Sequence, residues 1–151
     1  MKIDAINKKI LFLLQKDARI TYKEIAAELK RSETTIRDRI RAMERVGIIQ
    51  GYTALIDKTS LGFHFFAIIF ANPPAASELD KITERVKKVR NVLRVYQISG
   101  DHRLAIFLVA PSYKELKELI KTELIPIGLK DEEMITVLEA DREFISPLEI
   151  P

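Results

Sequence analysis

Chemistry in this sequence is concentrated in arginine. Arg31, Arg37, Arg39, Arg41 and Arg45 fall within fifteen positions, interleaved with Glu33, Thr34, Thr35 and Asp38 and preceded by Ser32. A guanidinium donates from a planar fork that fits phosphate and the guanine edge, a threonine methyl suits the thymine methyl, and a carboxylate accepts from cytosine. No other chemistry is gathered so closely. His64 and His102 stand far apart and are expected in separate strands, His64 as a packed strand residue. No His/Asp/Glu group has metal-ligand spacing, and neither a glycine-rich phosphate loop nor a Gly-x-Ser-x-Gly elbow occurs. The lack of cysteine removes disulfides, thiolate zinc sites and a cysteine nucleophile. The expectation is a binding protein rather than an enzyme, with no cofactor and no metal.

The arginines need a rigid element to present them, and the sequence writes one. Ile6, Ile10, Leu13 and Leu14 mark an amphipathic helix from Asp4, its N-cap, to about Lys16. Thr21-Tyr22-Lys23-Glu24 is a capping box opening a second helix, with Ile25, Ala26 and Leu29 inward and an end near Lys30. Ser32 caps a third, whose inner positions are Ile36, Ile40, Met43 and Val46, with Gly47 as its left-handed stop. Two helices joined by the short turn Lys30-Arg31, the second of them basic, outline a helix-turn-helix over Thr21–Arg45. In that motif the N-terminal part of the second helix meets base edges, here Glu33, Thr34, Thr35, Arg37 and Asp38. Arg31, Arg41 and Arg45 are placed to clamp phosphates. Arg39 lies near the inner edge and is as well placed to pair with a carboxylate of an earlier helix. The plainer reading, a solvated arginine-rich face, is outweighed by the tight turn before it and the near-absence of lysine in it.

Charge follows the same division. Residues 1–58 carry thirteen Lys/Arg against eight Asp/Glu, and residues 59–151 carry twelve against fourteen. A basic N-terminal part suits a polyanion, although chance asymmetry in a basic protein gives the same numbers. The composition is that of a globular chain. No apolar run is long enough to cross a membrane, and the charged N-terminus is not a signal peptide, so a cytoplasmic location is expected.

Beyond Gly47 the texture changes. Ile48–Ile56 reads as an extended, strand-prone segment, and Gly62 as a hinge. Then come an apolar strand Phe63–Ala71 stopped by Pro73-Pro74, a helix marked by Leu79, Ile82, Val86 and Val89, and a strand Val92–Ser99 with Val92, Tyr96 and Ile98 on one face. A turn at Gly100-Asp101, a strand Leu104–Ala110, a helix marked by Leu116, Leu119 and Ile120, and a strand at Ile135–Leu138 complete it. The order βαββαβ is the ferredoxin-like unit. The expected fold is α+β: a winged-type helix-turn-helix domain over 1–50, an extended linker over 51–62, and a ferredoxin-like sandwich over 63–151.

These residues resemble the Lrp/AsnC family of regulators. The likeness is carried by Asp4, Ile10-Leu11, Gln15 to Arg19, Ile25-Ala26, Ser32, Thr35-Ile36, Arg39-Ile40, Gly47-Ile48-Ile49 and Gly51-Tyr52. In the second half it continues with Leu61-Gly62, Val95-Tyr96 and Ser99-Gly100-Asp101. The resemblance implies transcriptional regulation, binding to double-stranded operator DNA, and dimerisation through the C-terminal sheet, with further assembly into tetramers, octamers or larger discs. It also implies an amino-acid effector held near the Gly-Asp turn, which here means Ser99, Gly100 and Asp101, with His102 beside them. The plainer reading of that turn is that Gly100 supplies positive φ and Asp101 satisfies turn amides. The sequence departs from the family pattern at Lys30, where glycine is common, at Arg103, where an acid is common, and at Glu132-Glu133-Met134, where threonines are common. Two other readings stand beside an effector-controlled regulator: an architectural DNA binder without effector, and a sirohaem-decarboxylase-like enzyme on the same fold.

Overall fold

The computed structural model describes residues 3–139, 147, 148 and 150. They divide into two compact units, one reaching to Leu55 and including the described residues after position 146, the other starting at Ile56.

The first unit is three helices: α1 (Ala5–Lys16), α2 (Tyr22–Leu29) and α3 (Glu33–Arg45). Each begins where a side chain takes up an orphan amide: Asp4 accepts from Asn7 N, Thr21 from Glu24 N, and Ser32 from Thr35 N. Glu24 returns the bond by accepting from Thr21 N at 2.7 Å, which completes the capping box. Helix α2 ends in a six-to-one turn in which Arg31 N donates to Ala26 O and Lys30 N to Ala27 O. Lys30 takes the left-handed conformation there, φ 51°, that glycine adopts at no steric cost. Helix α3 ends in the same way, with Ile48 N on Met43 O, Gly47 N on Glu44 O and Gly47 at φ 75°. Ile10, Ile25, Ala26, Ile36, Ile40 and Met43 form the buried centre of this unit.

Two expectations for this region are corrected. Val46 is half exposed and caps α3, because the chain turns left-handed one residue later and carries it off the inner stripe. Residues 48–56 form no strand: Ile48 and Ile49 bend back to donate to Met43 O, and among the described residues no segment pairs with 50–56 in a ladder. Residues 58–62, also expected extended, coil into a turn. Phe63 N donates to Lys58 O, Gly62 stands at φ 86°, and Asp57 caps the start by accepting from Thr59 N and Ser60 N. Those two amides and the Ser60 hydroxyl hold the Asp57 carboxyl below its ordinary range, the hydroxyl most strongly.

The second unit is an antiparallel sheet in the order β2-β3-β1-β4, made of β1 (Phe65–Asn72), β2 (Val92–Gln97), β3 (Leu104–Ala110) and β4 (Lys130–Val137). Helices α4 (Leu79–Val86) and α5 (Tyr113–Leu119) connect the strands, α5 running on into a π-helical turn over Ile120–Leu124. Alternate residues of the two central strands, Ala67, Ile69 and Ala71 with Leu104, Ile106 and Leu108, join Ile82, Val86, Leu116 and Leu119 of the helices in one core. This is the ferredoxin-like arrangement read from the pattern.

One strand face is corrected. Val92 and Tyr96 do not point the same way, because β2 carries an extra residue between Val92 and Arg94. The bulge inverts the alternation, so Val92 and Val95 pack on the core, while Tyr96 meets the edge of Phe107 at 5.5 Å on the opposite face. Neither histidine lies in a strand. His64 precedes β1 and is exposed rather than packed, and His102 lies in the turn between β2 and β3.

Candidate nucleic-acid interface and effector turn

Helix α3 is divided lengthwise. Ile36, Ile40 and Met43 are fully buried and fix its roll against α1 and α2. That roll leaves Glu33, Thr34, Asp38, Arg41 and Arg45 exposed, with Thr35 and Arg37 half-buried beside them. Ser32 fixes the start: its hydroxyl accepts Thr35 N at 3.1 Å and lies 2.7 Å from the Thr35 hydroxyl. The face expected to meet DNA is therefore assembled on one rigid element. Arg31 sits in the turn before it and donates to Lys30 O at 3.0 Å.

The five arginines separate by their partners. Arg39 turns inward and donates from Nη1 to Asp4 Oδ2 at 2.7 Å and to Asn7 Oδ1 at 2.9 Å. It ties α3 to the capped start of α1, the alternative left open for it. The Asp4 carboxyl is held below its ordinary range, first by the Asn7 amide and then by the Arg39 hydrogen bond. Arg37 is different. Its Nε stands 3.7 Å from Asp38 Oδ1, too far for a hydrogen bond, and finds no acceptor. Among the described residues Arg41 and Arg45 have no ion-pair partner within 4.0 Å. The acid at this end of the helix bonds to a tyrosine rather than to an arginine. Glu44 accepts from the Tyr52 hydroxyl at 2.9 Å, and burial, reinforced by that carboxylate, pushes the phenol up to about 12. Three guanidinium groups thus remain without a carboxylate hydrogen bond on one helix, an arrangement that releases counterions when phosphates replace them. Tyr52 escaped the sequence reading as a member of this set, since its role depends on the chain folding back onto α3.

The turn between β2 and β3 gathers Ser99, Gly100, Asp101 and His102. The first three are exposed, and Gly100 stands at φ 114°. Two residues missed in the sequence hold this turn. Asn72, at the end of β1, donates from Nδ2 to Asp101 O at 3.0 Å and to Asp131 Oδ2 at 3.3 Å, and accepts from Arg103 N at 3.0 Å. Asp131 is the left-handed residue of a bulge at the start of β4, φ 54°, and its carbonyl oxygen lies 3.0 Å from His102 Nε2. Asp101 therefore contributes its backbone to the fold and leaves its carboxylate outside. His102 packs against Phe70 at 5.9 Å between ring centres. Only a terminal Asn on one strand and a left-handed Asp on another signalled this junction, and neither forms a recognisable motif in sequence.

Comparison with known proteins bears on both units. A family model described as winged helix-turn-helix DNA-binding matches residues 3–50, and one described as Lrp/AsnC ligand binding domain matches residues 64–141. The chain belongs to the Lrp/AsnC family. Family members are helix-turn-helix transcriptional regulators, and the resemblance read from the sequence is confirmed in both halves. The HTH-type transcriptional regulator LrpA of Pyrococcus horikoshii is 35% identical over 122 residues, covering 81% of this chain and 86% of its own. An uncharacterized HTH-type transcriptional regulator of Pyrococcus abyssi is 31% identical over 143 residues, 93% of this chain and 95% of that one. Among solved structures, Escherichia coli AsnC superposes with a TM-score of 0.87 at 23% identity, covering 97% of this chain and all of that one. A feast or famine regulatory protein of Mycobacterium tuberculosis, complexed with L-methionine, gives a TM-score of 0.89 at 22% identity over 99% of this chain and 100% of that one. At these identities the structural likeness speaks for the fold.

Proposed function

We propose that this Lrp/AsnC member acts as a symmetric dimer that reads a pseudo-palindromic operator with α3 and responds to an amino acid at the Ser99–His102 turn. The observation that carries the DNA half is the set of Arg37, Arg41 and Arg45 on one helix, without carboxylate hydrogen bonds among the described residues, beside Arg39, which is bonded to Asp4 and Asn7. Arg37 with Thr34, Thr35, Glu33 and Asp38 reads bases, while Arg31, Arg41 and Arg45 clamp phosphates and Ser32 sets the start of the helix. Half-sites then lie about one helical turn apart, or a multiple of it.

The dimer is supported by the sheet face opposite the helices. Phe66, Ile68, Phe70, Tyr96, Phe107 and Ile135 share it by register, and Tyr96 and Ile135 are 49% and 45% exposed. An aromatic face this broad is a protein-interaction surface rather than scattered exposure. The effector reading is supported by the exposed Asp101, whose carboxylate suits an α-amino group, on a turn braced from behind by Asn72. The methionine-bound tuberculosis protein and a methionine complex of a Neisseria meningitidis regulator make L-methionine the first ligand to test. Such a protein works in the cytoplasm, and among the described residues no helix is long and apolar enough to cross a membrane.

Anisotropy titration on fragments of the chain's own promoter tests the DNA reading, and affinity no tighter than on random duplex overturns it. Thermal shift with single amino acids tests the effector. A stabilising amino acid whose effect vanishes in Asp101→Ala supports the site, and one that persists unchanged places the ligand elsewhere.

A further inference from the structure

The described residues after position 146 lie against the first unit, although their chain leaves the second unit through β4. A groove on α1 and α2 is lined by Lys8, Lys9, Phe12, Lys16, Leu13 and Leu29, with Leu148 and Ile150 seated at it. Leu148 N donates to Gln15 Oε1 at 2.9 Å. Gln15 is set for this, because its Nε2 is spent on Leu11 O at 3.2 Å and its oxygen is left to accept. Leu148 and Ile150, two positions apart, line the same groove. The groove meets them with matching surface: Phe12 is 40% exposed, and Lys16 Nζ lies 4.6 Å from the centre of its ring. Charge agrees as well. The wall carries three lysines against one acid, Glu28, and the segment Pro147–Pro151 brings one side-chain carboxylate and no cation.

We propose that the chain's own C-terminal segment, through Leu148 and Ile150, docks in this α1–α2 groove and forms a second covalent tie between the sheet unit and the DNA-reading unit. No lining residue of the groove belongs to α3, so the tie holds the head without covering its reading face. The contact is shallow, with Leu148 still 65% exposed. A shallow contact is enough, because a tethered segment meets its groove at about millimolar effective concentration and a site of millimolar affinity is then about half filled.

The chain has no cysteine, so a single nitroxide can be placed at will. Lys9→Cys and Glu28→Cys put the label on the groove wall in two separate full-length proteins, each with methyl-labelled Leu and Ile. The expected result is loss of more than half the Leu148 and Ile150 methyl intensity in both, restored on reducing the nitroxide. Mixing spin-labelled, isotopically silent chains with unlabelled-wall, methyl-labelled chains must leave those signals intact. Leu148→Asp with Ile150→Asp must shift the Leu13 and Leu29 methyls to their positions in a chain ending at residue 146. Full Leu148 and Ile150 intensity in both labelled proteins overturns the proposal, and so does broadening that arises only between different chains. None of these readouts involves DNA or an effector, so they succeed or fail independently of the function proposed above.

Discussion

Arg39→Ala separates structure from recognition most sharply. In the native chain the guanidinium closes Asn7 Oδ1 at 2.9 Å, and Asn7 is only 4% exposed. Removing the donor takes away the hydrogen-bond partner that oxygen has in the fold, at a residue that is otherwise buried. An orphaned buried acceptor costs about 1–3 kcal/mol. The Asp4 side of the bridge faces solvent, where exposed pairs contribute little, so the effect should come almost wholly from Asn7. A destabilisation of about 2 kcal/mol lowers the melting temperature of a small unit by roughly 8–16 °C. Urea unfolding followed by helix circular dichroism measures it, with Asn7→Ala/Arg39→Ala as the cycle partner. With the oxygen already gone, the second variant should recover about 1 kcal/mol or more of the penalty as coupling. Operator affinity, measured well below the melting range, should fall less than for Arg41→Ala. Stability unchanged within about 0.5 kcal/mol, alongside a large loss of DNA binding, would show that Arg39 belongs to the interface and that the partition of the arginines is wrong.

Other expectations follow the same partition. Arg37→Ala should cost about 1–3 kcal/mol of operator binding and relax preference at one base pair, whereas Arg45→Ala should weaken all sequences alike and reduce the salt slope by about 1; anisotropy titrations across salt distinguish them. Lys30→Gly should stabilise the first unit by about 0.5–1 kcal/mol, because the left-handed strain of about 1–2 kcal/mol outweighs the extra chain entropy of glycine; a lower melting temperature would contradict it. Phe107→Glu, on the open sheet face, should raise the dimer dissociation constant more than about tenfold in sedimentation equilibrium. Tyr52 ionises at about 12 in the folded chain against 10.0 ordinarily, so its stabilising effect is present below 10 and lost as pH rises towards 12. Unfolding at about pH 9 and about pH 11 should show that loss in the parent and not in Tyr52→Phe. Asp4 has the opposite sign. Its carboxyl is lowered from 3.8, so its contribution is present above that value and disappears as pH falls below it, a decline that Asp4→Asn should lack.

Much of this is legible in the sequence. Local rules wrote the three caps at Asp4, Thr21 and Ser32, the capping box with Glu24, and the stop at Gly47, because each depends on residues within four positions of one another. Periodicity chose Ile36, Ile40 and Met43 as the inner face of α3 and, by subtraction, the face that carries Arg37, Arg41 and Arg45. The same periodicity overreached at Val46, where the left-handed turn one residue later cancels it, and at Tyr96, where a bulge reverses the alternation that a strand pattern assumes.

Tertiary structure alone decided which charges are available. Arg39 and Arg41 are chemically alike and two positions apart, yet one is spent on Asp4 and Asn7, more than thirty residues away, and the other has no carboxylate partner within 4.0 Å among the described residues. Tyr52 bonds to the Glu44 carboxylate of α3, and Asn72 joins the ends of three segments behind the Gly-Asp turn, through contacts set by packing and invisible to spacing. The amino-acid order by itself determined that this chain carries an arginine-bearing reading helix joined to a ferredoxin-like unit, since helix and strand signals are local. Which arginines stand without a carboxylate hydrogen bond was settled only by the fold, since such bonding is a matter of distance in space as much as of position along the chain.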